Sequence, residues 1–356
     1  MRNDWDGIGI MSGTSLDGID LAWCHFSKKE DGKWDYRIER AVTVPYDYAL
    51  KDQLSNATFP LFSALDYAKL NNKVGEAIAE AVNNWLGDGP KPDFIASHGH
   101  TIFHQPEIGL TTQIGNGAVL AAKTKILTVC DFRTKDVALG GQGAPLVPIG
   151  DELLFGEYDA CLNLGGFSNI SYRIDNQRIA YDISPCNMAL NKLANLAGLS
   201  YDKDGLLAKE GTLIPELRQT LNDLGYYHQK PPKSLGKEWY DDVFAPVLNP
   251  FLSNHSVADL LRTVVAHIAD QIIANVPEKA RTLLVTGGGA HHSFLIEQIQ
   301  NQRDTLSVIV PDPLIIDYKE ALIFAFLGLL RLTGENNCLR SVTGAREDNC
   351  GGCVYV

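Results

Sequence analysis

The chain has 356 residues, more than one ordinary core accommodates, so two domains are expected. Hydrophobic residues at 45% and charged residues at 21% exclude a disordered or fibrous chain. With 43 acidic against 31 basic side chains, a formal charge of −12, the balance argues against a nucleic-acid or anionic-membrane binder, whereas a small phosphate-bearing molecule needs only a few local donors.

In chain order, Met1-Arg2-Asn3-Asp4-Trp5-Asp6 carries no apolar signal core, which predicts a cytoplasmic protein. Residues 7–11 read as a short buried strand, broken by Ser12 to Gly18. Strands are expected over 19–26 and 34–44, giving an antiparallel meander. Helical periodicity over 65–85 puts Leu70, Val74, Ile78 and Val82 on one face. Strands follow at 93–97 and 126–130. The same order then begins again, with strands at 160–164, 168–174 and 178–181 and a helix at 185–197. Residues 256–276 form a strong helix, opened by a Ser256/Asp259 capping pair and ended by Pro277. A strand at 282–286 enters a glycine run and a helix to 299; a strand at 308–310 and a helix at 317–331 close the pattern. The apolar run 321–330 is too short to span a bilayer and reads as a buried helix. The seven cysteines are odd in number and scattered, as free thiols are. Cys350-Gly-Gly-Cys353 lacks the second pair that a zinc site needs and reads as a strand end.

Three of the glycine clusters share one local grammar, a strand followed by small residues. They are Ser12-Gly13-Thr14-Ser15-Leu16-Asp17-Gly18, Asn163-Leu164-Gly165-Gly166-Phe167-Ser168-Asn169, and Thr286-Gly287-Gly288-Gly289. Glycine lets backbone N–H groups reach phosphate oxygens. Asp17 and Asp20 supply the hard oxygens that hold Mg2+ through water. The third loop is expected to open a helix whose N-terminus favours negative charge. No GxxxxGK[ST] and no G-x-G-x-x-G after the first strand is present, so nucleotide binding of another type is expected. Asp182, after a strand and before a helix, is either a base or a helix cap. His98, His100 and His104 have metal-ligand spacing but read as hydrogen-bonding or structural histidines.

Several blocks are more specific. Met11-Ser12-Gly13-Thr14-Ser15-Leu16-Asp17-Gly18-Ile19-Asp20, Ser97-His98-Gly99-His100-Thr101, Asp131-Phe132-Arg133, Gly140-Gly141-Gln142-Gly143, Asp182 with Pro185 and Asn187, Pro231-Pro232-Lys233-Ser234, Lys319-Glu320-Ala321 and Ser341-Val342-Thr343-Gly344-Ala345 follow one another in order. Together they resemble the anhydro-N-acetylmuramic acid kinases of the sugar kinase/Hsp70/actin superfamily. The resemblance implies an α/β, duplicated actin-like (ribonuclease H-like) ATPase fold of two lobes with an interdomain cleft: 1–132 with 322–356, and 133–321. It implies ATP and Mg2+, a small anhydro amino sugar as substrate and a possible homodimer, and the charge balance adds no nucleic acid and no membrane as partners. The implied reaction phosphorylates O6 of 1,6-anhydro-N-acetylmuramic acid while water opens the anhydro bridge. Asp182 is then the base. Gly13, Thr14, Ser15, Leu16, Asp17, Gly18, Ile19, Asp20, Asn163, Gly165, Gly166, Gly287, Gly288 and Gly289 hold the nucleotide, with Asp17 and Asp20 at the metal's water shell. Thr101, Arg133, Asn187 and Glu320 hold the sugar. The chain departs from the family pattern at Ile183, Ser184, Cys186, Asn191, Asn116, His100 and His292. If those positions wall the sugar, a kinase for a different 1,6-anhydro sugar is the alternative; a non-catalytic ATP-binding actin-like regulator is another.

Overall fold

The computed structural model describes residues 2–13, 16–57 and 62–356. Its strands in chain order are β1 (Asp4–Ser12), β2 (Ile19–Lys28), β3 (Trp34–Val44), β4 (Phe94–Gln105), β5 (Leu110–Ile114), β6 (Thr128–Cys130), β7 (Ala160–Leu164), β8 (Phe167–Ile174), β9 (Gln177–Pro185), β10 (Thr282–Thr286), β11 (Ser307–Ile309) and β12 (Cys353–Tyr355). They form two sheets, and the chain divides into two compact units, Met1–Phe155 with Tyr318–Val356, and Gly156–Asp317.

The sheet of the first unit has the order β12-β6-β4-β1-β2-β3, with β5 paired to β4. β1, β2 and β3 are antiparallel neighbours, while β4 runs parallel to β1 and β6 parallel to β4. The second sheet, β11-β10-β7-β8-β9, repeats this scheme: β7, β8 and β9 are antiparallel, β10 is parallel to β7, and β11 to β10. The same order and directions in both sheets make the fold a duplicated, ribonuclease H-like α/β fold of the actin type.

Burial explains the elements. The helix Ala64–Leu86 starts at Ser63, whose hydroxyl accepts from the Asp66 N–H, and turns Leu70, Val74, Ile78 and Val82 inward against Ile8, Ile10 and Leu21. On the opposite face of β1, between Trp5 and Met11, Gly7 and Gly9 carry no side chains. A Cβ on Gly9 would sit 1.7 Å from the Ala321 carbonyl oxygen, so the helix Pro313–Thr333 lies against β1 backbone to backbone. Residues 321–330 of that helix are all buried, which accounts for their unbroken apolar run. No helix among the described residues is long and apolar enough to cross a membrane. In the second unit the helix Val257–Asn275 carries the expected Ser256/Asp259 capping box and buries Leu260, Leu261, Val264, Ile268 and Ile272 in the core.

The unit boundaries differ from the expected ones. Residues 133–155 and 318–321 belong to the first unit. One buried contact joins the two segments to each other, and another ties the first of them to the C-terminal stretch. Lys319 pairs with Asp151 at 2.7 Å, both almost wholly enclosed. Asp136, fully buried, accepts at Oδ1 from the Thr343 hydroxyl (2.9 Å), the Asn349 amide (2.8 Å) and the Cys338 thiol (3.0 Å). β5 and β12 were not foreseen as strands with partners. The final helix is longer than expected, and its backbone leaves helical geometry at Tyr318, with φ −120° and ψ 15°.

Candidate active site

The second unit gathers four of the expected features. Asp182 lies inside β9, opposite Asn169 on β8 beside an irregularity in register. Its carboxyl Oδ2 accepts from the Leu235 N–H at 2.9 Å. The Asp182 N–H donates to the Lys233 carbonyl at 3.3 Å, and the Tyr226 hydroxyl donates to the Asp182 carbonyl at 2.7 Å. The segment around Pro231-Pro232 therefore clamps this one residue from both backbone and side chain. The Lys233 ammonium rides over the Tyr226 ring at 4.6 Å. Burial pushes the Asp182 carboxyl above the usual carboxylate range, and the Leu235 N–H pulls it part of the way back. Asp182 caps no helix. β9 runs on to Pro185, and the helix Asn187–Leu196 begins at Cys186 without a side-chain cap bond.

The two glycine loops of this unit meet around Asn187. The Asn187 N–H donates to the Gly165 carbonyl at 3.1 Å and its Nδ2 to the Leu164 carbonyl at 3.0 Å. From the other side, a Cβ on Gly289 would meet Leu164 Cβ at 2.6 Å and Asn187 Oδ1 at 3.0 Å. Gly287 has φ +81°, and a Cβ there would strike Asn163 Oδ1 at 2.5 Å, so glycine is required twice over. Asn187, expected against the sugar, thus joins the loops Asn163–Gly166 and Gly287–Gly289. Gly166 and Gly288 are the exposed members of the pair. The nearest atom to a Cβ on either is 3.9 Å and 3.7 Å away, so their backbone faces open space that a side chain would fill. The third loop does not itself open a helix. A single 3-10 turn, Gly288–His291, intervenes, and the helix Ser293–Gln300 is capped by His292, whose Nδ1 accepts from the Leu295 N–H at 3.0 Å.

The first unit holds the other expected residues. The loop between β1 and β2 contains Gly13 and Leu16, which takes the left-handed conformation at φ +59°; Thr14 and Ser15 lie outside the described residues. Asp17 is exposed and Gly18 buried, its missing Cβ being 2.7 Å from the Val44 carbonyl oxygen. Ile19 is in the core and Asp20 half-buried, accepting from the Thr43 hydroxyl at 2.6 Å. Ser12, at the mouth of this loop, contacts the Tyr46 hydroxyl and lies 2.9 Å from His100 Nδ1.

Arg133 is held at a fixed tilt. Its Nε donates to His98 Nε2 at 3.0 Å and its Nη1 to the Gly143 carbonyl at 2.7 Å. His98 lies 2.9 Å from the Gly99 carbonyl through Nδ1, so that nitrogen carries the proton and Nε2 is the acceptor. Burial keeps His98 neutral, its pKa far below normal, and brings Arg133 down to about 10. Asp136 anchors the same loop, accepting from the Gly143 N–H at 2.8 Å. A charged residue in so short a helix gives no sequence signal of that role. Glu320 lies close enough to Arg133 for each to favour the other's charged form, while the crowded surroundings raise the Glu320 carboxyl and Asp20 raises it further; a face of Glu320 still meets solvent. Thr101 is half-buried and accepts from the Gln113 amide at 3.4 Å. Among the described residues no cluster of three or more His, Cys, Asp or Glu has the arrangement of a metal site.

The sequence profile of the anhydro-N-acetylmuramic acid kinases matches residues 6–356. The chain belongs to that family. It is 37% identical to the anhydro-N-acetylmuramic acid kinase of Aliivibrio fischeri over 98% of both chains. It is 35% identical to that of Hydrogenovibrio crunogenus over 98% of this chain and 97% of that one. Among solved structures, component A of the Acidaminococcus fermentans (R)-2-hydroxyglutaryl-CoA dehydratase aligns with 90% of this chain and 96% of its own at 12% identity, with a TM-score of 0.44.

For this member of the kinase family, the departures from the common pattern now have places. Ile183 and Cys186 are fully buried in the core of the second unit, and Ser184 packs its hydroxyl 3.0 Å from that of Ser168. They do not form a ligand wall, contrary to the expectation that tied them to a different sugar. Asn116 accepts from the Ala118 N–H at 3.0 Å and so caps the helix Gly117–Thr124, as an aspartate there would.

Proposed function

We propose that the chain transfers the γ-phosphoryl group of ATP to O6 of 1,6-anhydro-N-acetylmuramic acid while water opens the anhydro bridge, giving N-acetylmuramic acid 6-phosphate and ADP. The observation that carries this reading is the Asp182 carboxylate. It is clamped by Leu235, Lys233 and Tyr226, caps no helix, and has its proton affinity raised by burial. In the proposed step Asp182 takes a proton from the water whose oxygen attacks C1. The C1–O6 bond breaks, and the freed O6 attacks the γ-phosphorus as ADP leaves. A base positioned in this way contributes about 10²–10⁴ in rate.

The open backbone at Gly166 and Gly288, fixed by Asn187 and Asn163, receives phosphate oxygens, with the loop from Gly13 to Asp20 as a further cradle. Asp20 and Asp17 offer half-buried and exposed carboxylate oxygens, which suits contact with Mg2+ through its water shell. The ion, when bound, offsets phosphate charge. Arg133 presents Nη2, which donates to no described residue, to the lactyl carboxylate. Thr101 can donate to or accept from the sugar hydroxyls, and the Glu320 carboxylate accepts from them. A cytoplasmic homodimer belongs to the same proposal. Exposed Leu196, Leu199, Tyr201 and Leu206 supply apolar surface for association, which sedimentation tests directly. The reaction itself is tested by ADP release with and without the anhydro sugar in water enriched in oxygen-18. Label on C1 of the phosphorylated product supports it; sugar-independent ADP release or an unlabelled product contradicts it.

A further inference from the structure

One pair of thiols lies outside this machinery. β12 runs antiparallel to β6 with Cys353 directly opposite Cys130, Val354 opposite Val129 and Tyr355 opposite Thr128. Opposed residues of an antiparallel pair share a face, with Cα atoms about 4.5–5.5 Å apart, inside the roughly 4.4–6.8 Å that a disulfide spans. The shared face is visible at Gly117. A Cβ there would lie 2.5 Å from Cys130 Sγ and 2.9 Å from the Tyr355 ring, and Tyr355 is two residues from Cys353 along the strand. The sulfurs are near enough that charge on Cys353 raises the Cys130 thiol.

Both thiols are free, Cys353 exposed and Cys130 half-buried. Cys350, which completes the CxxC spacing, is directed elsewhere: its Sγ lies 4.0 Å from the Leu330 carbonyl oxygen. Cys353 Sγ instead lies 3.9 Å from Asp131 Oδ2, on the residue that follows Cys130. A cavity of about 440 Å³ opens beside Cys353, lined by Lys135 and Arg331 and also by Asp131 and Cys350, so a small molecule has access to the exposed Cys353 sulfur.

We propose that Cys130 and Cys353 form a redox-modification site, a cross-strand dithiol that a low-molecular-weight disulfide converts to an intramolecular disulfide tying β12 to β6. In the first step the Cys353 thiolate attacks one sulfur of the disulfide RSSR. A mixed disulfide forms, and RS⁻ leaves and takes up the proton that Cys353 gave to solvent. In the second step the Cys130 thiolate attacks the Cys353 sulfur, the mixed bond breaks, and a second RS⁻ leaves and is protonated. Two protein thiols lose two electrons and two protons; RSSR becomes two RSH. Burial and neighbouring negative charge raise both thiols, so exchange quickens toward alkaline pH. The bond would fasten the strand that leads directly into Asp131-Phe132-Arg133 to the C-terminal strand.

The test treats the reduced full chain with glutathione disulfide at alkaline pH, quenches with N-ethylmaleimide and maps peptides without reduction. The expected result is loss of two free thiols per chain and a Cys130–Cys353 linked peptide, in the wild type and equally in Cys350→Ser. In Cys130→Ser the reaction should stop at a glutathione adduct on Cys353 that persists; in Cys353→Ser no adduct should form at Cys130. A persistent adduct in the wild type, a Cys350–Cys353 link, or no loss of thiols would overturn the proposal.

Discussion

Replacing Asp182 with asparagine separates chemistry from architecture at one atom. The amide oxygen can still accept from the Leu235 N–H, and the backbone bonds to Lys233 and Tyr226 do not involve the side chain, so the clamp persists. What disappears is the ability to take a proton. Loss of a positioned base costs about 10²–10⁴ in rate, or roughly 3–5 kcal/mol at about 1.36 kcal/mol per tenfold. Sugar-dependent ADP release by Asp182→Asn should therefore fall by that factor in kcat, with the KM for ATP nearly unchanged. The pH profile supplies a second reading. Only the carboxylate can act as base, so wild-type kcat/KM falls as pH drops through the Asp182 ionisation. Because burial raises that ionisation, this acid limb should lie above the range of an ordinary aspartate, and Asp182→Asn should lack it. Full sugar-dependent turnover by the variant, or an acid limb that survives the substitution, would refute the assignment of Asp182 as base.

Other consequences are open to measurement. Arg133→Lys loses the planar fork together with its bonds to His98 and Gly143; the KM for the anhydro sugar should rise by about 10–100-fold with a smaller change in kcat, read from initial rates. Gly288→Val meets little resistance from the fold but fills the open cradle, so titration with an ATP analogue should show affinity reduced about 10–100-fold with near-normal thermal stability. Asp136→Asn sets an amide hydrogen against donors that the carboxylate now accepts, and urea unfolding should show a loss of about 2–4 kcal/mol. His267, wholly buried between Asn222 and Tyr227 with its pKa pushed down to about 3, takes a proton in the unfolded chain below about pH 6.5 but not in the folded one. Unfolding free energy should thus decline by up to about 1.4 kcal/mol per pH unit from this group as pH falls from 6.5 toward 3, and a His267→Gln variant should show a shallower slope.

Much of the first half of each sheet was legible because its physics is local. The apolar stretches of β1, β2 and β3 broken by turn residues, and the repeat of that order in β7, β8 and β9, announce a duplicated fold before any contact is known. The capping box at Ser256 is equally local and was found where expected. What was illegible depends on partners distant in sequence. β5 is a five-residue strand that exists only because β4 runs past the sheet and turns back on itself. The stretch 133–155 contains helices too short for periodicity, and its allegiance is decided by Asp136 and Asp151, whose burial contradicts every expectation for an aspartate in an isolated sequence. His292 is not a usual cap residue, so the turn between the third glycine loop and its helix could not be foreseen. For the site, glycine spacing pointed to phosphate, but the role of Asn187 as the tie between two loops follows only from the fold, and the burial of Ile183, Ser184 and Cys186 takes these three positions out of the case for another sugar.

The contact between Gly9 and Ala321 bears on how this enzyme can be altered. Where a helix rests on a sheet through interdigitated side chains, repacking lets the helix slide by fractions of an ångström and carries its functional groups with it. Here no side chain lies between the two backbones at that point, so there is nothing to repack. Glu320 is the residue before Ala321 on the helix, so the close backbone approach at Gly9 limits how far it can move relative to β1. On the role proposed for Glu320 at the sugar, selection for a new acceptor has substitutions at exposed positions to draw on more readily than displacement of this carboxylate. Any variant library that enlarges residue 9 tests folding long before it tests specificity.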